Sequence, residues 1–175
     1  GGMIPSGVEW NVVDLVESNI RFRPTRPDGK SFFGWYPRFY FQDPGVSARS
    51  SMGILQKRPG EVVNGCWLYP WMSLEEYVRG IVLGTFGARL LGRAVDAPEL
   101  RAFVPQGASR HQCGYVDFAC SVNGTPSVGR IYAILYDIQG MLWSTVGTFG
   151  WVAPESRRQE DERVMELCIR SFRLD

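Results

Sequence analysis

From Gly114 to Trp151 apolar and polar side chains alternate with a period of two, in GYVDFACSV, VGRIYAILYD and MLWSTVGTFGW. That period belongs to strands, whose successive side chains leave opposite faces of a sheet. Asn123-Gly124 joins the first two runs and Gln139-Gly140 the last two, and Asn-Gly supplies the positive φ that two-residue hairpin turns need. The three segments therefore read as an antiparallel meander. In the middle strand Ile131, Ala133 and Leu135 take one face, while Arg130, Tyr132, Ile134 and Tyr136 take the other. Neither face is purely polar, which predicts a sheet covered on both sides. Cys120 shares a face with Val116, Phe118 and Val122 and reads as a small buried hydrophobe, whereas Cys113 points the other way.

The period changes to that of a helix in MSLEEYVRGIVLGTF, where Ser73 and Glu76 form a capping box and Met72 and Tyr77 are spaced to staple across it. Leu74, Tyr77, Val78, Ile81 and Thr85 make one stripe, and Gly84 and Gly87 weaken its far end. A second helix follows Pro154: ESRRQEDERVMELCIR places acids early, where the helix dipole favours them, and puts Val164, Leu167 and Cys168 on one side. Helices are thus expected near Ser73 to Leu91 and Ser156 to Ile169. With roughly five to seven strands, the fold class is α+β: an antiparallel sheet packed between helices, an α/β/α sandwich.

FFGWYPRFYF, residues 32–41, holds seven aromatic rings. With a period of two, Phe33, Trp35, Phe39 and Phe41 share one face, read as core; Phe32, Tyr36, Arg38 and Tyr40 share the other, read as an amphipathic outer face. Pro37 cannot donate to a ladder, so the segment is an edge strand or two strand pieces meeting at a break. The preceding PTRPDGK, residues 24–30, carries an Asp-Gly turn signal, and residues 45–59 suit a loop or an edge strand.

Length and charge narrow the function classes. A chain of 175 residues fits a single domain, residues 1–175, with an irregular basic-aromatic part over 1–60 and the core over 61–175. The net charge of +1 excludes a strongly basic nucleic-acid binder, but it hides a polarity: residues 21–60 carry eight basic side chains against two acidic ones. Positive charge is therefore concentrated around the aromatic segment, where it can steer an anionic partner. The candidate binding residues are Arg21, Arg23, Tyr36, Arg38 and Tyr40, the partner being another protein or an anionic ligand. Rings interleaved with arginines also suit single-stranded nucleic acid, a less favoured reading.

Candidate chemistry is sparse. His111 is the only histidine, in GASRHQCGY, a segment read as a loop before a strand; as a general base it would serve a small hydrolase, the alternative from another function class. Asp117 and Asp137 are the carboxylate pair a glycosidase would need. The four cysteines, Cys66, Cys113, Cys120 and Cys168, show no C-x-x-C spacing, so no metal site is expected, and they leave two disulfides arithmetically open. No phosphate-loop or dinucleotide motif occurs, and no cofactor is expected. The Asn123-Gly124-Thr125 sequon coincides with the hairpin turn, which explains it. No run of 18 apolar residues provides a membrane span. Gly1-Gly2 leaves two compartments open: extracytoplasmic, with a signal or lipoprotein leader removed, or cytoplasmic.

The C-terminal hundred residues run helix, strand, turn-linked meander, then APES, a charged helix and a terminal SFRLD. This order, with Ala-Pro before a helix that leads to Ile169, Arg170, Ser171 and Phe172, resembles the PsbP-like superfamily, which includes extrinsic photosystem II proteins, bacterial lipoproteins of unknown role and a Ran-binding protein. The resemblance implies an antiparallel sheet between helices and a non-catalytic accessory or partner-binding role. It transfers no site residue.

Overall fold

Asn123 (φ 51°) and Gly124 (φ 81°) both hold positive φ in the computed structural model, the backbone that a two-residue type I′ turn requires. The structure describes residues 10–12, 30–35, 38–41, 48–50, 53–55, 60–63, 65–82, 88–138 and 144–170. In chain order the strands are β1 (Trp10–Val12), β2 (Ser31–Trp35), β3 (Arg38–Phe41), β4 (Ala48–Ser50), β5 (Gly53–Leu55), β6 (Val62–Val63), β7 (Cys66–Tyr69), β8 (Arg89–Leu90), β9 (Val95–Asp96), β10 (Arg110–Val122), β11 (Thr125–Asp137) and β12 (Ser144–Pro154). The helices are α1 (Leu74–Tyr77) and α2 (Arg158–Arg170), with a short 3-10 helix over Pro98–Phe103.

The expected meander is the centre of the molecule. β10 and β11 pair antiparallel without interruption from Val122↔Thr125 to Arg110↔Asp137, and β12 pairs antiparallel with β11 from Ser127↔Pro154 to Tyr136↔Thr145. On its other side β12 takes β2, from Val152↔Ser31 to Thr148↔Trp35, and then β3, at Thr145↔Arg38 and Ser144↔Phe39. The two pieces share one register, so odd-numbered residues keep one face on both sides of the break. Neither piece is an edge: β3 continues in parallel to β7 and β2 in parallel to β1. On the opposite side of the meander β8 and β9 pair antiparallel with β10. β4 and β5 form a separate hairpin.

The sheet is mostly antiparallel and covered on both faces. Ile131, Ala133 and Leu135 lie in a first core with Val116, Phe118, the α1 residues Leu74 and Tyr77, and Val78 just beyond α1. Tyr132 and Ile134 lie in a second core with Cys113, Leu100 of the 3-10 helix and Met165 of α2. The aromatic segment feeds both. Phe39 lies 5.6 Å from Phe41, 5.7 Å from Trp67, 5.5 Å from Tyr69 and 5.8 Å from Tyr77, centroid to centroid, so the Phe39 ring is core packing. Phe32, assigned by its parity to the outer face, is instead 1% exposed in the second core, because the layer of α2 covers that face too.

Both helices depart from their expected form. The capping Ser73 is in place, its Oγ accepting from the Glu76 N–H at 3.2 Å, but α1 passes into one wider π turn, Val78–Val82, and Arg89–Leu90 is strand rather than helix. Leu90 pairs with Phe118 and packs against the first core, and this tertiary contact overrides local helix preference. In α2 two residues of the expected apolar stripe face outward, Val164 being 52% and Leu167 63% exposed. Among the described side chains of α2 Asp161, Met165 and Glu166 are buried. The side chain of Cys168 lies outside the described residues.

Phenylalanine faces glycine across neighbouring strands three times, as Phe118↔Gly129, Phe33↔Gly150 and Phe149↔Gly34. The missing side chain lets the ring lie over the backbone, the arrangement that offsets glycine's weak strand propensity. A Cβ on Gly129 would come within 2.6 Å of the Phe118 ring, and one on Gly150 within 2.8 Å of the Phe33 ring. Gly129→Ala is expected to lower stability by about 3 kcal/mol through overpacking, read from the midpoint of urea denaturation; an unchanged midpoint would contradict the close approach.

Candidate binding edge of the sheet

Arg21, Arg23 and Tyr36 lie outside the described residues. Arg38 and Tyr40 are described by their backbone in β3, where they sit opposite Thr145 of β12 and Leu68 of β7. His111 is not in a loop: it is the second residue of β10, opposite Tyr136, and is exposed. It lines a pocket of about 280 Å³ with Arg101, Asp96, Glu75 and Cys113. Nothing there activates a nucleophile. Burial pushes the Cys113 thiol up, with Arg101 pulling it down and Glu99 adding to the rise. Next to them, both ends of the Gln112 amide serve the scaffold, Nε2 donating to the Met72 carbonyl at 2.7 Å and Oε1 accepting from the Leu74 N–H at 3.0 Å. Among the described residues His111 has no hydrogen-bond partner.

The carboxylate pair is also dispersed. Asp117 stands opposite Arg130 and Asp137 opposite Arg110, seven positions away along the same ladder. At the strand rise this is about 24 Å, too far to flank one glycosidic bond. Arg110 donates from Nε at 3.1 Å and Nη2 at 3.0 Å to Asp137 Oδ2, and its guanidinium lies 4.7 Å over the Trp71 ring. The described residues contain no group of three or more histidine, cysteine or acidic side chains able to hold a metal. Among the described residues Cys113 and Cys120 are free thiols.

The largest concentration of charge is a scaffold element under α2. Arg130 donates from Nε to Asp117 Oδ1 at 2.6 Å, from Nη2 to Asp117 Oδ2 and to Glu162 Oε1, both at 3.2 Å, and from Nη1 to Glu166 Oε1. Its guanidinium lies 4.2 Å over the Tyr115 ring. The Tyr132 hydroxyl donates to both Glu166 oxygens, at 3.1 and 2.9 Å, and Arg158 approaches Asp117 and Glu162 at 3.8 and 3.6 Å. Burial alone would make Arg130 easier to deprotonate; its hydrogen bond to Asp117 and the charges of Glu166 and Asp117 outweigh that and hold the proton more firmly. These groups carry α2 rather than chemistry. Removing the cation leaves the buried Glu166 carboxylate beside the partly exposed Asp117 and Glu162 without the guanidinium they share, so Arg130→Met is expected to cost about 3 kcal/mol. Full retention of the thermal midpoint would show that α2 does not depend on this cluster.

Two buried phenols and one half-buried thiol make the protein sensitive to alkali. Burial raises the Tyr77 hydroxyl, against the opposing hydrogen bond at 2.5 Å to Thr148; burial and Glu166 raise the Tyr132 hydroxyl; burial pushes the Cys120 thiol up to about 11. In each case the unfolded chain loses its proton first. The stability they contribute is complete below the ordinary values, 9.0 for the thiol and 10.0 for the phenols, and is lost as pH rises through the folded ones. The urea midpoint should therefore fall between pH 8.5 and 10.5 (~2 pH units), with a shallower fall in Tyr132→Phe.

Unbalanced charge lies on the sheet edge formed by β8 and β9. Arg79, Arg89 and Arg93 line a depression of about 720 Å³ beside Leu90 and Leu91, and Arg101 lines the adjoining His111 pocket. All four arginines are exposed. Glu75 lines both depressions; its Oε1 accepts from the Ala94 N–H at 2.6 Å, and Oε2 lies 3.7 Å from Arg79. Arg89, Arg93 and Arg101 have no carboxylate partner among the described residues. GARLLGR, residues 87–93, had read as the tail of a helix; its alternating Arg89 and Leu90 was the available strand signal. The cross-strand pairs at Asp117 and Asp137 were likewise readable, because a two-residue turn at Asn123-Gly124 dictates every partner on β10 and β11.

No family model, no curated protein and no solved structure matches this chain. Among the described residues no helix is long and apolar enough to cross a membrane.

Proposed function

We propose that this chain is a non-catalytic binding or accessory domain for an anionic partner. One observation carries the reading: the inner charges at Arg130 and Arg110 are matched by carboxylates, whereas Arg89 and Arg93 on the β8–β9 edge and Arg101 of the adjoining 3-10 helix stand exposed without a counterion among the described residues. Uncompensated guanidinium groups raise the local concentration of anions and form paired hydrogen bonds with carboxylate or phosphate. The order of elements that resembles the PsbP-like superfamily supports an accessory role, and Arg21, Arg23, Tyr36, Arg38 and Tyr40 are proposed as a separate basic contribution, since β3 lies across the meander from β8 and β9.

Hydrolysis through His111 has less support, since a buried thiol held protonated and a glutamine committed to α1 are its strand neighbours. Fluorescence-labelled poly-L-glutamate, followed by anisotropy, tests the leading reading. Binding should weaken about tenfold in the Arg89→Glu, Arg93→Glu double variant and lose most of its strength in moderate salt, while His111→Ala leaves it unchanged. Equal binding by the double variant would remove the edge from the proposal.

A further inference from the structure

We infer that the β8–β9 edge is a docking surface for an acidic protein segment that also presents apolar side chains. This rests on the anionic-partner reading and adds what else that partner must carry. Leu91 is 38% and Val95 47% exposed, and both stand among the arginines of the edge. Charge alone is enough to guard an exposed sheet edge against unwanted pairing, as arginine and lysine do elsewhere. Exposed leucine and valine serve no such purpose. Arginine is enriched at protein interfaces, and apolar side chains beside it supply contact that excludes water.

The frame that presents these residues is firm. Leu90 turns into the first core, and the alternation of a strand sends its neighbour Leu91 outward. The Leu91 N–H donates to the Asp117 carbonyl at 2.8 Å, the Ala94 N–H to Glu75 at 2.6 Å and the Ala97 N–H to the Cys113 carbonyl at 3.0 Å. The bend between the two strands is thereby held at Leu91 and Ala94, and the end of β9 at Ala97. β8 and β9 are two residues each, so an added strand would find few backbone partners, and recognition must come from side chains. Residues 88–96 contain no aromatic ring. A stacking platform for bases is therefore missing from this edge, which favours a carboxylate-bearing protein segment over nucleic acid.

The test compares three labelled probes on the intact chain by anisotropy: a nonapeptide in which two glutamates precede each leucine, the same peptide with serine for leucine, and oligo-dT of similar charge. The leucine peptide should bind at least about tenfold more tightly than the serine peptide. Leu91→Ser, a change at an exposed position, should remove that advantage without altering binding of the serine peptide, and Val95→Ser should reduce it. Equal binding of the two peptides, unaffected by Leu91→Ser, overturns the apolar anchor while leaving the anionic-partner reading intact. Tightest binding of oligo-dT overturns the choice of a protein segment. Failure of all three probes to bind overturns both readings.

Discussion

The turn at Asn123 and Gly124 constrains nearly everything else in this molecule. With two residues in the loop and thirteen in each flanking strand, each β10 residue has one partner on β11. Phe118 must then lie over Gly129, and Asp117 must face Arg130. Because side chains alternate with a period of two, a slip of one position would exchange the contents of the two cores and place the Arg130 guanidinium beneath α1. β12 copies the register of β11, and β2 and β3 copy that of β12. The aromatic segment thereby inherits its faces from a turn more than eighty residues further along the chain.

A second constraint follows from the charge on the face that α2 covers. Arg130 is one of the least exposed cations, and a buried guanidinium needs carboxylates close enough to bond. α2 answers with Glu162 and Glu166 and turns Val164 and Leu167 to solvent. Such a cluster adds little net stability compared with a well-packed apolar contact, but it admits one rotational setting of the helix. The hydroxyl of Tyr132 and the ring of Tyr115 complete the enclosure. The polar layer under α2 thus determines orientation, while the aromatic core on the other face supplies bulk burial.

The division between internal and external charge is what supports a binding role. Ionic groups along the meander are consumed by cross-strand and helix contacts. On the β8–β9 edge the balance is different: several arginines, two exposed aliphatic side chains and a backbone held by Glu75 and Cys113 lie together. His111 is close to this edge but is not bonded into it. An edge this short is poorly suited to strand addition, which leaves side-chain chemistry as the means of recognition.

The meander and its two faces were legible from residues alone, because alternation and turn chemistry are local and strong. The cores around Ile131, Ala133 and Leu135 and around Tyr132 and Ile134 followed directly. Three features needed tertiary structure. Arg89 and Leu90 left the helical pattern because Phe118 offered Leu90 a place in the core, a contact between residues 28 positions apart. Phe32 became buried because α2 covers its face, which no periodicity within residues 32–41 can reveal. Val164 and Leu167 turned outward because the helix's orientation is set by the cation beneath it, on another strand. Local spacing determined which way each strand residue looks; what it looks at, and so which charges remain unmatched at the surface, was decided only when distant segments packed together.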